Sequence, residues 1–195
     1  MIDTEAVRAF FDRLAPDWDA DMIRCDEIID RILDNACVAA DTTVLDVACG
    51  TGVLIPDYLA RNVRSVTAID LSPEMVRIAR EKFPQPNVTV LCGDAERTAF
   101  SGRFDRIVVY NALPHFPDAA RLIGTLSALL EPGGILTVAH GMSREAIDRH
   151  HRSTPDTVSV GLMPAETLAA IFEKTLRVTA VISDDRMYQV AGVRR

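Results

Sequence analysis

DVACGTG, residues 46–52, follows directly on the apolar run Thr43–Leu45. A run that ends at an acid and then bends through small residues reads as a strand turning into a helix. Gly50 and Gly52 permit positive φ and remove side chains that would keep a ligand off the backbone, while small Ala48 keeps the crossing tight. In an open α/β sheet ligands bind beyond the carboxyl ends of the strands, where the strand order reverses, and the first strand-to-helix turn lies there. Eighteen residues after the turn stands a lone acid, Asp70. At the end of a second strand such an acid can accept hydrogen bonds from both hydroxyls of a ribose.

Outward from this turn the chain alternates. TVLDVA, SVTAID, NVTVLC, FDRIVVYN and GGILTVAH are short Val- and Ile-rich runs ending near polar residues, the pattern of strands buried on both faces. Between them lie the helical patterns GVLIPDYLARN, then SPEMVRIAREKF with Ser72 as N-cap and Pro73 at the first helical position, then DAARLIGTLSALLEPGG closed by a Pro-Gly-Gly stop. Upstream, Val7, Phe10, Phe11 and Leu14 share one helical face, and Ile28, Ile29, Ile32 and Leu33 another. Downstream, MPAETLAAIFEK reads as a helix, followed by LRVTAVIS and RMYQVAGVR, which are joined at Asp184 and Asp185 by a connection too short for a parallel crossover. The expected fold is α/β: a doubly wound, mostly parallel seven-stranded sheet, Rossmann-like, with N-terminal helices and an antiparallel C-terminal hairpin. Residues 1–195 read as one domain, with 1–40 as a helical cap and 141–165 as a segment covering the substrate.

Composition narrows the partners. The net charge of -7 argues against nucleic acid, which needs clustered Lys and Arg to neutralise phosphates. The acidic start MIDTEAVRAFFDRLAPDWD and the lack of an eighteen-residue apolar run argue against a signal peptide or integral membrane association, so a cytoplasmic protein is expected. Cys25, Cys37, Cys49 and Cys92 form no CxxC or CxxxC pair and read as small hydrophobes. A homodimer is left open.

The turn and Asp70 alone suit a nicotinamide dinucleotide almost as well as any other adenosine ligand. Counting from Gly50 and Gly52, however, Ile55 stands where G-x-G-x-x-G wants its third glycine. The third strand also ends in LCGDAE, placing Asp94 where an adenine amino group would lie. An acidic rim repels a pyrophosphate and suits a cationic nucleoside. Asp46, Asp70 and Asp94 at three successive strand ends favour a ligand over simple N-capping.

The set VLDVACGTG, VTAIDLSPEMVRIAR, GDAE, FDRIVVYNALPHF and LLEPGGIL, in this order over roughly residues 1–140, resembles the class I S-adenosylmethionine-dependent methyltransferases, and among them the UbiE-like small-molecule branch. The resemblance implies S-adenosylmethionine as cofactor. Asp46, Ala48 and the Gly50–Gly52 turn would then hold its methionine end, Asp70 the ribose, and Asp94 with Ala95 the adenine, with Leu71 and Met75 packing near adenine or ribose. FFDRLAPDWD is similar to the segment that folds over the cofactor, which implies Phe11 and Trp18 in the cap.

Methyl transfer often needs a base, and histidine titrates near working pH. His115, beyond the fourth strand in NALPHFPD, is the first expectation for a catalytic base, and His140, ending the fifth, the second. Asn111 joins the cofactor-binding set and, with His140, also lines the acceptor pocket. His150 and His151 fall in the last turn of a helix starting near Ser143, where the helix dipole favours an imidazolium without any catalytic purpose. A cluster of His115, His140 and one of that pair is conceivable as three metal ligands, but the spacing does not enforce it and no metal is expected. N-A-L-P lacks the second proline and the aromatic of the N-P-P-Y run of nucleic-acid amine methylases. The reading is therefore methyl transfer to a small molecule by in-line displacement. A noncatalytic adenosylmethionine-binding protein and a nicotinamide-dependent oxidoreductase are the alternatives.

Overall fold

In a computed structural model, which describes residues 2–20, 22–150 and 154–195, one seven-stranded sheet forms the centre. The elements run α1 (Thr4–Leu14), α2 (Asp26–Asn35), β1 (Thr43–Val47), α3 (Ile55–Ala60), β2 (Ser65–Asp70), α4 (Pro73–Lys82), β3 (Val88–Cys92), β4 (Phe104–Tyr110), α5 (Ala119–Ala128), β5 (Leu130–His140), α6 (Arg144–His150), α7 (Ala165–Phe172), β6 (Arg177–Ser183) and β7 (Tyr188–Val193). Short 3-10 turns at Ala15–Asp17 and Leu113–His115 complete the path. The strand order is β3-β2-β1-β4-β5-β7-β6, with β7 antiparallel to both β5 and β6 and the remaining pairs parallel. The order reverses between β1 and β4, so the DVACGTG turn leaves the sheet at the switch point.

The apolar strands explain the layers. Leu45, Val47, Ile107 and Val109 face a cluster with α5 and α7, while Val44, Val66, Ala68 and Val108 face α2, α3 and α4. Alternate residues thus go to opposite layers, and both are buried, as a parallel sheet requires. On α4 the expected start holds: Ser72 Oγ accepts from Met75 N–H (3.1 Å) and Pro73 opens the helix.

Two local readings differ from expectation. The pattern GVLIPDYLARN gives only the short helix α3, because residues 50–54 remain turn and Ile55, fully buried, is the first helical residue. The Pro-Gly-Gly stop also moves. Helix α5 ends at Ala128, and Pro132-Gly133-Gly134 lies inside β5 as an irregularity opposite Phe104 and Arg106. Gly133 has φ +77°, and a Cβ on Gly134 would stand 2.9 Å from the Glu131 carbonyl and 3.0 Å from that of Phe104. These glycines let β5 kink against β4.

Candidate cofactor and active site

The carboxyl ends of β3, β2, β1, β4 and β5 border one cavity of about 520 Å³. Its walls include Asp46, Ala48, Cys49 and Gly50 from the first turn, Asp70, Leu71 and Met75 after β2, and Asp94, Ala95 and Glu96 after β3. Asn111 and His115 follow β4, and His140 ends β5. Phe11 and Trp18 close the cavity from the N-terminal helices. Every residue named from the sequence therefore meets here except Gly52. Gly52 is not among the lining residues: with φ +86° it sits where a Cβ would come within 2.6 Å of the Phe83 ring and 2.9 Å of Ile55 Cδ1. Its missing side chain serves the packing of α3 against the end of α4, rather than ligand approach.

Gly50 has φ +56° and an open face toward Trp18, whose Nε1 would lie 3.6 Å from a Cβ. Ala48 also lies in the left-handed region, at φ +56°, which costs a residue with a Cβ about 1–2 kcal/mol. Ala48→Gly relieves that strain at the cost of a more flexible unfolded chain, so a net stabilisation of roughly 0.5–1 kcal/mol is expected in denaturant titration without ligand. An unchanged or lower midpoint would show that Ala48 is not strained there.

The acids differ in what they are already bonded to. Asp70 Oδ2 accepts from Gly50 N–H (2.8 Å) and Oδ1 from Ser72 N–H (2.9 Å). Each oxygen keeps one lone pair, so the carboxylate is oriented to accept two further donors side by side. Burial pushes its pKa up, opposed by the Ser72, Gly50 and Leu71 N–H groups. Asp94 Oδ1 accepts from Glu96 N–H (2.9 Å), and Oδ2 lies 3.4 Å from Arg97. Glu96 is held bidentate by Arg121 (2.7 and 2.9 Å), which takes it out of contention as a ligand for a cation. Asp46 is 2% exposed, with Oδ2 lacking a hydrogen-bond partner among the described residues. Burial also pushes the Cys49 thiol well up, so it is a neutral wall rather than a nucleophile.

His115 ends a 3-10 turn, and its Nδ1 lies 2.9 Å from the Val158 carbonyl. A carbonyl only accepts, so Nδ1 carries the proton and the neutral ring keeps its lone pair on Nε2. The Phe11 ring meets His115 edge to face (4.9 Å between centroids) and Trp18 likewise (5.6 Å). His140 is buried and stacks edge to face with Tyr188 (5.8 Å). His150 ends α6, while His151, the other member of the helix-end pair, lies outside the described residues. Among the described residues no group of three His, Cys, Asp or Glu side chains is placed to hold a metal.

The cap is pinned by its own acids. Asp12 Oδ1 accepts from Ser72 Oγ (2.5 Å) and Glu74 N–H (3.2 Å); Asp19 accepts from Thr51 Oγ1 (2.5 Å) and Lys82 Nζ (2.7 Å). Asp3 N–H donates to the Thr157 carbonyl (2.8 Å), and Ile2, Val7 and Val158 form a small apolar cluster with Phe10, Phe11 and Leu71 around it. Beyond Trp18, the stretch leading into α2 adds wall residues that the sequence does not single out. Met22, Ile23 and Arg24 line the cavity, and Arg24 ties this strap to α3 through the Val53 carbonyl (2.9 Å) and Asp57 (2.6 Å). A lone arginine between acids carries no periodic signal, so only the fold shows its role. Tyr110, Phe116, Met142 and Ile147 complete the wall near β4 and β5.

An S-adenosyl nucleoside fits this donor set: paired acceptors at Asp70 for a diol, acceptor and backbone groups at Asp94 and Ala95 for a base edge, and an unpartnered carboxyl at Asp46 for a cation. Residues 44–134 match a family model described as a methyltransferase domain. The ubiquinone biosynthesis O-methyltransferase of Xanthomonas axonopodis pv. citri (strain 306) is 33% identical over 139 residues, 69% of this chain and 54% of that protein. The protein of the same name from Xanthomonas campestris pv. campestris (strain B100) is 30% identical over 171 residues, 80% of this chain and 65% of that protein. The chain thus spans 54% to 65% of the length of these curated relatives. Among solved structures, a chain from the complex containing the Haloferax volcanii Trm112 methyltransferase activator superposes with a TM-score of 0.83 at 20% identity, covering 96% of this chain and 97% of that one. N-methyltransferase NodS from Bradyrhizobium japonicum WM9, in complex with S-adenosyl-L-homocysteine, superposes at 0.75 with 19% identity, covering 96% and 98%. At these identities the superpositions speak for the fold. No helix among the described residues is long and apolar enough to cross a membrane. With the domain match, the curated relatives and the β3-β2-β1-β4-β5-β7-β6 sheet in agreement, the chain belongs to the class I S-adenosylmethionine-dependent methyltransferase family.

Proposed function

We propose that this chain transfers a methyl group from S-adenosylmethionine to a small-molecule acceptor by in-line displacement, as a cytoplasmic enzyme without a nucleic-acid partner. The observation that carries the reading is the layout of the 520 Å³ cavity. Acids at the ends of β1, β2 and β3 border one half, and His115, His140, Asn111 and apolar Phe116, Met142 and Ile147 border the half beyond β4 and β5. In this reading Asp70 accepts from the ribose hydroxyls and Asp94 with Ala95 meets the adenine edge. Leu71 and Met75 supply apolar contact, and Asp46 with the Ala48–Gly50 backbone meets the methionine end. Phe11 and Trp18 roof the site, and Asn111 sits between the two halves, its Oδ1 accepting from Gly141 N–H (3.0 Å). The domain then divides as a helical cap over residues 1–40 and a covering segment within 141–165, around the Val158 carbonyl that holds His115.

When bound, the sulfonium supplies an already activated methyl group. The protein's share is to hold the acceptor atom in line, keep water out beneath the aromatic roof, and take a proton where the acceptor is neutral. His115 takes it at Nε2, the atom its hydrogen bond to Val158 leaves with the lone pair; His140 is second. Measurement of S-adenosylhomocysteine formed with a panel of phenols, quinones, thiols and amines tests the activity. Binding without product across acceptors would favour a noncatalytic binder. With an acceptor in hand, His115→Ala is expected to lower turnover by about 10²-fold or more, with unchanged affinity for S-adenosylhomocysteine. Full turnover in both His115→Ala and His140→Ala would remove the base assignments while leaving the cofactor site in place.

A further inference from the structure

Behind the DVACGTG turn, three side chains each carry a buried oxygen without a hydrogen-bond partner among the described residues: Asp46 Oδ2, the Tyr58 hydroxyl and Oδ2 of half-buried Asp57. Tyr58 is fully buried on α3 and Asp46 is 2% exposed on β1. The hydroxyl lies near enough to the Asp46 carboxyl to favour its charged form, though short of hydrogen-bond geometry, and the charges of Asp70 and Asp57 oppose it. The Cys49 thiol also faces this group, and Arg24 engages only the other oxygen of Asp57. Orphaned polar atoms at this depth are costly, and a cluster of them points to something that satisfies them in the working state.

We propose that Tyr58 is a positioning residue for the cofactor, its hydroxyl donating to Asp46 Oδ2 once that carboxyl ionises against the cofactor's α-ammonium, so that binding is coupled to loss of the Asp46 proton to solvent. The ammonium keeps its three protons, and the only bond broken is the carboxyl O–H. The inference rests on the reading of Asp46 as the methionine end of the site. Burial pushes the Asp46 carboxyl from 3.8 up to about 8, with Asp70 and Asp57 adding to the rise and the Tyr58 hydroxyl acting against it. An acid raised in this way contributes stability that is fully present below its unfolded value and is lost as pH rises through about 8. Affinity for a cation beside it moves the opposite way, increasing over the same window.

Isothermal titration with S-adenosylhomocysteine, which carries the same α-ammonium, in two buffers of different ionisation enthalpy counts the protons exchanged. The wild-type protein is expected to release close to one proton at pH 7 and clearly fewer above pH 8.5. Tyr58→Phe keeps the ring and removes only the hydroxyl. It is expected to weaken binding about tenfold at pH 7, while its melting temperature without ligand is no lower than wild type. A tyrosine that mattered only for packing would leave the proton count and affinity untouched. Asp46→Asn, which cannot ionise, is expected to abolish proton release and the pH dependence of binding, and it carries the test if Tyr58→Phe fails to fold. Binding by the wild type with no proton exchanged at pH 7 would overturn the proposal and leave the site reading intact. Failure of the wild type to bind S-adenosylhomocysteine at all would overturn both.

Discussion

Replacing Asp70 by alanine is expected to raise the dissociation constant for S-adenosylhomocysteine by about 10²-fold or more, the largest loss of any single cavity residue. Two hydroxyl-to-carboxylate hydrogen bonds are worth roughly 1.5–3 kcal/mol each, and both would go at once. The same substitution also strips the acceptor from Gly50 N–H and Ser72 N–H, so the turn and the start of α4 lose the group that holds them at 2.8 and 2.9 Å. Asp70→Asn separates the two effects. Its amide keeps one acceptor oxygen and nearly the same shape, so it should bind more weakly than wild type but better than the alanine variant. Isothermal titration reads both, and an Asp70→Ala protein that binds like wild type would mean the nucleoside lies elsewhere.

The second large effect concerns folding. Gly52→Ala is expected to destabilise the ligand-free protein by about 3 kcal/mol, combining a left-handed backbone cost of about 1–2 kcal/mol with overpacking of about 1–3 kcal/mol. The clash is with an aromatic ring: Phe83 carbons at 2.6 and 2.9 Å and Ile55 Cδ1 at 2.9 Å from the new methyl. Phe83 caps α4 and Ile55 opens α3, and both side chains are packed in the cluster between the sheet and these helices, so each has little room to turn aside. For a domain of this size such a loss lowers the melting temperature by roughly 6–12 °C. Gly50→Ala is the control, since its Cβ meets nothing nearer than Trp18 Nε1 at 3.6 Å and only the backbone cost applies. Equal melting temperatures for the two variants would show that the Phe83 contact does not govern Gly52.

The sheet was legible because burial on both faces leaves runs of Val and Ile, and because each of the five parallel strands ends near a polar residue. Three strand-end acids and two histidines named from their places in sequence all meet at one cavity. What escaped is of another kind. Pro132-Gly133-Gly134 has the composition of a helix stop, yet it is spent on an irregularity inside β5, since only the register against Phe104 and Arg106 reveals the kink. The positive φ of Ala48 is invisible because alanine ordinarily avoids that region and nothing in the neighbouring sequence marks the exception. Gly52 stands in a turn whose glycines suggest a ligand, whereas its packing partner, Phe83, is thirty-one residues away. Arg24 and Tyr58 belong to the same class: their meaning comes from Asp57 and Asp46, and no periodicity joins them.

The backbone bond from Asp3 to Thr157 and the contacts of Ile2 and Val7 with Val158 join parts of the chain more than 150 positions apart. Because the ribosome delivers the first of these long before the second, helix α1 emerges without the surface it rests on. Closing so long a loop is entropically slow, and five parallel strands must already be in register beneath it. The clasp at Thr157 and Val158 is therefore among the last contacts the chain can make, and a nascent chain interrupted before residue 157 holds its roof only through the bonds of Asp12 and Asp19 to the first turn and α4.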